Sequence, residues 1–217
     1  MPLTLYAHPF SSYCQKALMA FWENDIPFTY RHLEHAGAGD ERAALWPFGK
    51  FPVLVDGGRM VSESTIIIEH LDLFHPGPVR FVPEDRAAAM EVRFLDRFFD
   101  NYVMNEMNRP VFEVVRTDGS RKDAVMASAR QALDTAYGWL ETRLAGREWA
   151  AGDNFSMADC AAAPSLFYAD WVQQIGAQFP VTRAYRTRLL ARPSFARAVE
   201  EGRPYRHYFP LGAPDRD

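Results

Sequence analysis

Residues 52–62, PVLVDGGRMVS, constrain the fold more than any other stretch. Two short apolar runs flank Asp56-Gly57-Gly58, a hairpin signal, and SESTIIIEHLDLF opens a helix directly behind them. Two strand-then-helix patterns come first. Leu3 to Tyr6 reads as a short strand, and Ala17, Leu18, Phe21 and Trp22 then recur at helical spacing. IPFTYRHLE reads as a second strand, followed by a short helix, DERAALWPFG, that Pro47 and Gly49 stop. The order is therefore βαβαββα. This is an α/β unit.

The rest of the chain is read as helical. The Pro/Gly cluster His75-Pro76-Gly77-Pro78 closes the first unit, so the expected domains are residues 1–78 and an all-α helical bundle over 84–217. Phe94, Leu95, Phe98, Phe99, Tyr102 and Val103 are expected to form one apolar stripe. A second stripe runs from Val125 through Leu133 and Leu140 to Leu144. Ser156 and Asp159 have the S-x-x-D spacing of a capping box, which gives Asp159 a structural role. Tyr102, Phe112, Tyr168 and Trp171 fall mostly at core positions by periodicity, and some of them are open to lining a substrate pocket.

Composition excludes several function classes. A formal charge of −4 argues against a broad phosphate-binding surface, so no nucleic-acid partner is expected. No apolar run approaches the roughly 18 residues of a membrane span, and no secretory pattern opens the chain. Two cysteines, Cys14 and Cys160, are too few for a disulfide framework and fit a reducing compartment, so a cytoplasmic location is expected.

Chemistry concentrates at YAHPFSSYCQKAL, residues 6–18. Ser11-Ser12-Tyr13-Cys14 has the spacing of a C-x-x-C redox motif whose first cysteine is serine. Ser11 or Ser12 can cap the following helix, and the same hydroxyl, with the helix N–H groups, can donate to a thiolate. Cys14, a lone thiol inside a helix, reads as a small core residue. Ser62, Glu63 and Ser64 precede the third helix, whose free N–H groups and positive dipole end suit an anion. An acid beside such a site makes sense for a zwitterionic ligand. His32 and His35 form H-x-x-H, yet no further ligand set lies near them in sequence, and no metal is expected.

A βαβαββα unit with a reactive position at its first strand-to-helix turn resembles the thioredoxin-like arrangement, and SSYCQKAL sits where glutaredoxin-like proteins carry C-P-Y-C. GKFPVLVDGGRMVSESTIIIEHL resembles the G-K-V-P-V-L…S-E-S-x-A-I stretch of cytosolic glutathione transferases, and WAAGDNFSMADCAAAP resembles the A-G-D-x-F-S-x-A-D segment of their helical domain. In order and spacing the chain resembles that family over nearly its whole length, in its bacterial, serine-type form. The resemblance implies a catalytic Ser11, with Ser12 as second choice. It implies a glutathione site made by Lys50, Phe51, Pro52, Val53, Glu63 and Ser64, with His35 as a weaker alternative to Lys50. Pro52 is expected to be cis, with the Val53 backbone pairing to the cysteinyl part of glutathione. Trp46 departs from the family's N-P-x-G-K pattern. The implied activity is conjugation of glutathione, a co-substrate, to a hydrophobic electrophile in detoxification by a homodimer. The same scaffold also carries glutathione-dependent isomerases and dehalogenases, and non-catalytic binding or regulatory proteins.

Overall fold

The computed structural model describes residues 3–217. In β1 (Leu3–Ala7) the residues Leu3, Leu5 and Ala7 are buried and the alternate ones half-buried, the two-residue period of a strand with one face on a core. β1 pairs in parallel with β2 (Phe28–His32) and antiparallel with β3 (Val53–Asp56), which pairs antiparallel with β4 (Arg59–Ser62). The strand order is β2-β1-β3-β4. Gly57 and Gly58 turn the β3–β4 hairpin with φ of +57° and +89°. Both central residues are left-handed, which is why glycine occupies both. With α1 (Ser12–Glu23), α2 (Ala38–Leu45) and α3 (Ser64–Phe74) the order is βαβαββα, the thioredoxin-like arrangement expected from the sequence.

Residues 75–85 hold neither helix nor strand. Phe81 pins this connection from inside, because its N–H donates to Asp72 Oδ1 (2.8 Å) and its carbonyl accepts from the Met157 N–H (3.0 Å). Everything after it is helical. α4 (Arg86–Phe98) runs through a π-helical turn, Phe99–Met104, into α5 (Asn105–Arg116). α6 (Lys122–Arg143), α7 (Met157–Val172), α8 (Pro180–Ala191) and α9 (Pro193–Gly202) follow, with a 3₁₀ segment over Arg203–Tyr208. The widened π turn splits the stripe expected over 94–103. Leu95, Phe98, Phe99 and Val103 are buried, whereas Phe94 and Tyr102 face outward and, like the less exposed Phe112, leave the core expected from periodicity.

α7 is buried along nearly its whole length and continues unbroken through Pro164. Its capping box is formed: Asp159 accepts from the Ser156 N–H and hydroxyl, and also from the Ala150 N–H and the Tyr185 hydroxyl. Small residues at Ala158, Ala161, Ala162 and Ala169 let α7 pack closely, and α1 lies against it, so one apolar core joins the sheet to the helices.

One buried polar network crosses that core. Lys16 of α1, 1% exposed, places Nζ 2.6 Å from Asp96 Oδ1, 2.8 Å from Asp100 Oδ2 and 2.9 Å from Thr65 Oγ1. Removing the ammonium takes the buried cation from two buried carboxylates and leaves them only the half-exposed Arg97, 2.5 Å from Asp96 Oδ2 and 2.6 Å from Asp100 Oδ2. Lys16→Met is therefore expected to lower stability by about 3–5 kcal/mol in urea denaturation, and an unchanged midpoint contradicts this role.

Candidate functional site

The β1–α1 junction folds as a helix cap. Ser11 has extended backbone (φ −82°, ψ 121°), and its Oγ accepts from the Cys14 N–H at 3.4 Å. Its own N–H donates to the His8 carbonyl at 3.0 Å. The cap uses the hydroxyl oxygen and leaves the hydroxyl proton free to donate elsewhere. Cys14 lies behind this turn. Burial pushes its thiol up to about 12, and the His8 N–H points at its sulfur from 3.4 Å. Burial also raises the Cys160 thiol well above the ordinary cysteine value. Neither sulfur can serve as a nucleophile near neutral pH.

The N-terminus of α3 opens toward the same side. Glu63, not a serine, holds the position before the helix, with φ +68° in the region an L-residue seldom adopts, and its side chain makes no capping bond. Such a conformation persists where the surroundings enforce it, often at ligand sites. Ser64 is the first helical residue and is 7% exposed. Between the two helix starts the chain passes through a cis peptide bond, Phe51-Pro52, in the isomer the sequence resemblance implies.

Two connected hollows form the cleft. A cavity of about 200 Å³ is lined by Trp46, Lys50, Phe51, Pro52, Glu63 and Ser64, with Tyr13 at its edge. Tyr13, Lys50 and Phe51 also border a larger cavity of about 390 Å³, into which Ser11 and Ser12 open. The far wall of the larger cavity is apolar and comes from the helical part: Met107, Val111, Phe112, Tyr168 and Phe209. The arrangement offers a polar slot walled by a cation, an acid and a helix N-terminus, adjoining a chamber with two serine hydroxyls and an oily wall.

Seven of the nine residues singled out from sequence therefore meet at one cleft, and two do not. Val53 is fully buried and paired on both sides, with Tyr6 and Ser62, so its backbone belongs to the sheet. Phe51, 38% exposed, precedes the ladder and makes no backbone hydrogen bond among the described residues. The open N–H and C=O therefore lie at Phe51, two residues before Val53. His35 lies in the turn after β2, stacked near His32 with ring centroids 5.3 Å apart, and lines neither cavity. Lys50 is the cation of the slot. Trp46 was legible only as a departure from the family motif, yet its indole Nε1 is buried without a partner in the same cavity. Tyr208 and Phe209, from the C-terminal segment, had no sequence signal at all.

The comparisons with known proteins agree with this geometry. The family model described as "Glutathione S-transferase, N-terminal domain" matches residues 5–79, and "Glutathione S-transferase, C-terminal domain" matches residues 123–191. The chain is 27% identical over 202 residues to FtsZ-localized protein A of Caulobacter vibrioides, covering 88% of each chain. It is 27% identical over 213 residues to a probable maleylacetoacetate isomerase of Vibrio cholerae, covering 94% of this chain and 98% of the relative. A glutathione S-transferase of Methylobacillus flagellatus KT, solved with GSH bound, superposes with a TM-score of 0.77 at 26% identity, over 90% of this chain and 98% of that one.

The burial of both thiols makes a direct prediction. Native protein is expected to give no reaction with an aromatic disulfide reagent at about pH 8 over minutes, and two thiols after unfolding, Cys14 and Cys160. Rapid labelling of Cys14 in the folded state contradicts its burial behind the Ser11 cap.

Proposed function

Because the chain belongs to the cytosolic glutathione S-transferase family, we propose that its cleft binds glutathione and conjugates the thiol to a hydrophobic electrophile. The observation that carries this reading is the convergence of two helix N-termini, those of α1 and α3, on one cleft on either side of the cis Phe51-Pro52 bond. The γ-glutamyl carboxylate takes the α3 N–H groups and Ser64, and its ammonium takes Glu63. Lys50 and the free Trp46 indole N–H receive the glycyl carboxylate. The Phe51 backbone pairs with the cysteinyl unit, which brings the sulfur to the start of α1.

Ser11 then supplies the chemistry. A free thiol of pKa about 8.5 is about 3% ionised at pH 7, and lowering it by about two units takes roughly 2.7 kcal/mol of preference for the thiolate. A hydrogen bond to the charged sulfur supplies about 1.5–3 kcal/mol and a helix end about 0.3–1 kcal/mol. Ser12 and the N–H groups of the first turn share the remainder. The thiolate attacks an electrophile held against Met107, Phe112 and Tyr168, forming a C–S bond as the leaving group departs or a π bond opens.

A second reading, glutathione-dependent isomerisation, draws support from Arg116, which lines the apolar cavity over the Phe112 ring at 3.9 Å and can hold a carboxylate. The similarity to a probable maleylacetoacetate isomerase points the same way. We also place the protein in the cytoplasm as a homodimer with a role in detoxification. No helix among the described residues is long and apolar enough to cross a membrane. Ile66, Leu73, Met90 and Phe94 expose apolar side chains on α3 and α4, a surface that a second copy of the chain covers.

Calorimetric titration with glutathione, followed by turnover with a panel of aryl halides, epoxides, peroxides and cis-enoyl acids, tests the proposal. Binding in the micromolar to millimolar range is expected, with a loss of about tenfold or more in Glu63→Gln. Ser11→Ala is expected to lower kcat/KM by about ten- to a hundredfold while binding persists. No heat at millimolar glutathione overturns the enzymatic reading and leaves a binding or regulatory protein on the same fold.

A further inference from the structure

A second assembly of chemically capable side chains lies at the opposite end of β3 and α3 from the cleft. Asp56 ends β3, about 13 Å of strand beyond Pro52, and His70 and His75 lie in the last turns of α3. Both imidazoles place Nε2 2.8 Å from the same carboxylate oxygen, Asp56 Oδ2. The three ligand atoms lie within 4.8 Å of one another. The spacing H-x₄-H is not a helical ligand pair. His75, however, is the residue at which α3 ends, with φ −135° and ψ 54°, and this turn brings its ring to 6.0 Å from that of His70.

We propose that Asp56, His70 and His75 form a binding site for a divalent transition-metal cation of the zinc class, clasping the β3–β4 hairpin to the end of α3. Zinc takes imidazole nitrogen at about 2.0–2.1 Å and carboxylate oxygen at about 2.0–2.2 Å, so tetrahedral ligands stand roughly 3.3 Å apart. Admitting the ion asks each nitrogen to retreat from the carboxylate by roughly half an ångström. His70, 7% exposed, is held by packing against Phe74 at 4.7 Å between centroids, whereas His75 and Asp56 are about a quarter exposed and free to adjust. A water from the solvent that His75 and Asp56 reach would complete the tetrahedral set.

The other His-rich cluster provides the contrast. His8, His32 and Glu34 also bring their ligand atoms within 4.8 Å. There the Nδ1 atoms of His8 and His32 accept backbone N–H bonds, from Phe10 at 3.2 Å and Glu34 at 3.1 Å. A neutral imidazole that accepts at Nδ1 carries its proton at Nε2, which removes the lone pair a metal needs. At His70 and His75 no protein donor occupies Nδ1 among the described residues, so the proton can move there and free Nε2 for the ion. The proposal stands apart from the glutathione reading, since none of its residues borders the cleft.

The test is titration of chelator-treated full-length protein with zinc chloride at about pH 7.5, followed by zinc K-edge X-ray absorption of the one-to-one complex. Saturable binding of about one equivalent is expected, with two imidazoles and no sulfur in the coordination shell. His75→Asn, which suits a helix end, and Asp56→Asn are each expected to weaken binding by about tenfold or more, and His32→Asn to leave it unchanged. Absence of saturable binding in the unaltered chain overturns the site, as does sulfur ligation, retention of full affinity in His75→Asn, or loss of affinity in His32→Asn.

Discussion

The relative placement of two helix starts depends on the ammonium group of Lys16. Lys16 sits one turn inside α1, and Thr65, which receives one of its hydrogen bonds, is the neighbour of Ser64 at the start of α3. Asp96 and Asp100, its carboxylate partners, belong to α4 and the π turn that follows. Arg97 closes the network from the surface, 2.6 Å from Asp100 and hydrogen-bonded to Thr65. Burial raises the Asp100 carboxyl, and Lys16 opposes that shift. Buried ion pairs give stability only against the alternative of a broken pair, but they accept few alternative geometries. A network that touches α1, α3 and α4 at once therefore sets the width of the cleft between Ser11 and Ser64.

The same geometry decides what the start of α1 presents to the cleft. Its own cysteine in the SSYC stretch points inward from the helix, under the cap that Ser11 makes. What remains at the surface of the junction is a hydroxyl with a proton to give and a set of helix N–H groups. Such a site stabilises a negative charge delivered to it. The apolar chamber beside it is supplied largely by the other half of the chain, where α5, α7 and the C-terminal segment meet. Tyr168 connects the two halves by donating to the Phe10 carbonyl at 2.9 Å, and Tyr208 does so by donating to Glu34 at 3.0 Å.

The βαβαββα order was legible because its strands are short and bounded by glycine and proline, and because Gly57-Gly58 is a turn with a mechanism. Ser11, Lys50, Glu63 and Ser64 were legible because helix starts and family motifs mark them. The pairing of Val53 within the sheet was not, since which backbone groups stay open, those of Val53 or of Phe51, depends on how the chain leaves the cis bond and joins the ladder. Lys16 escaped notice because a lysine is ordinarily solvated, and only the three-dimensional gathering of Asp96, Asp100 and Thr65 makes a buried one tolerable. His70 and His75 lacked a ligand spacing until the end of α3 turned one ring back toward the other. Tyr102 and Phe112 followed an apolar period that the π turn interrupts.

The account stands on one claim, that the cleft ionises a thiol it borrows. Ultraviolet absorbance of the thiolate, followed against pH for glutathione bound to the protein, measures it directly. The account predicts a bound-thiol pKa near 6.5, about two units below that of free glutathione. A bound thiol that titrates at its free value contradicts it.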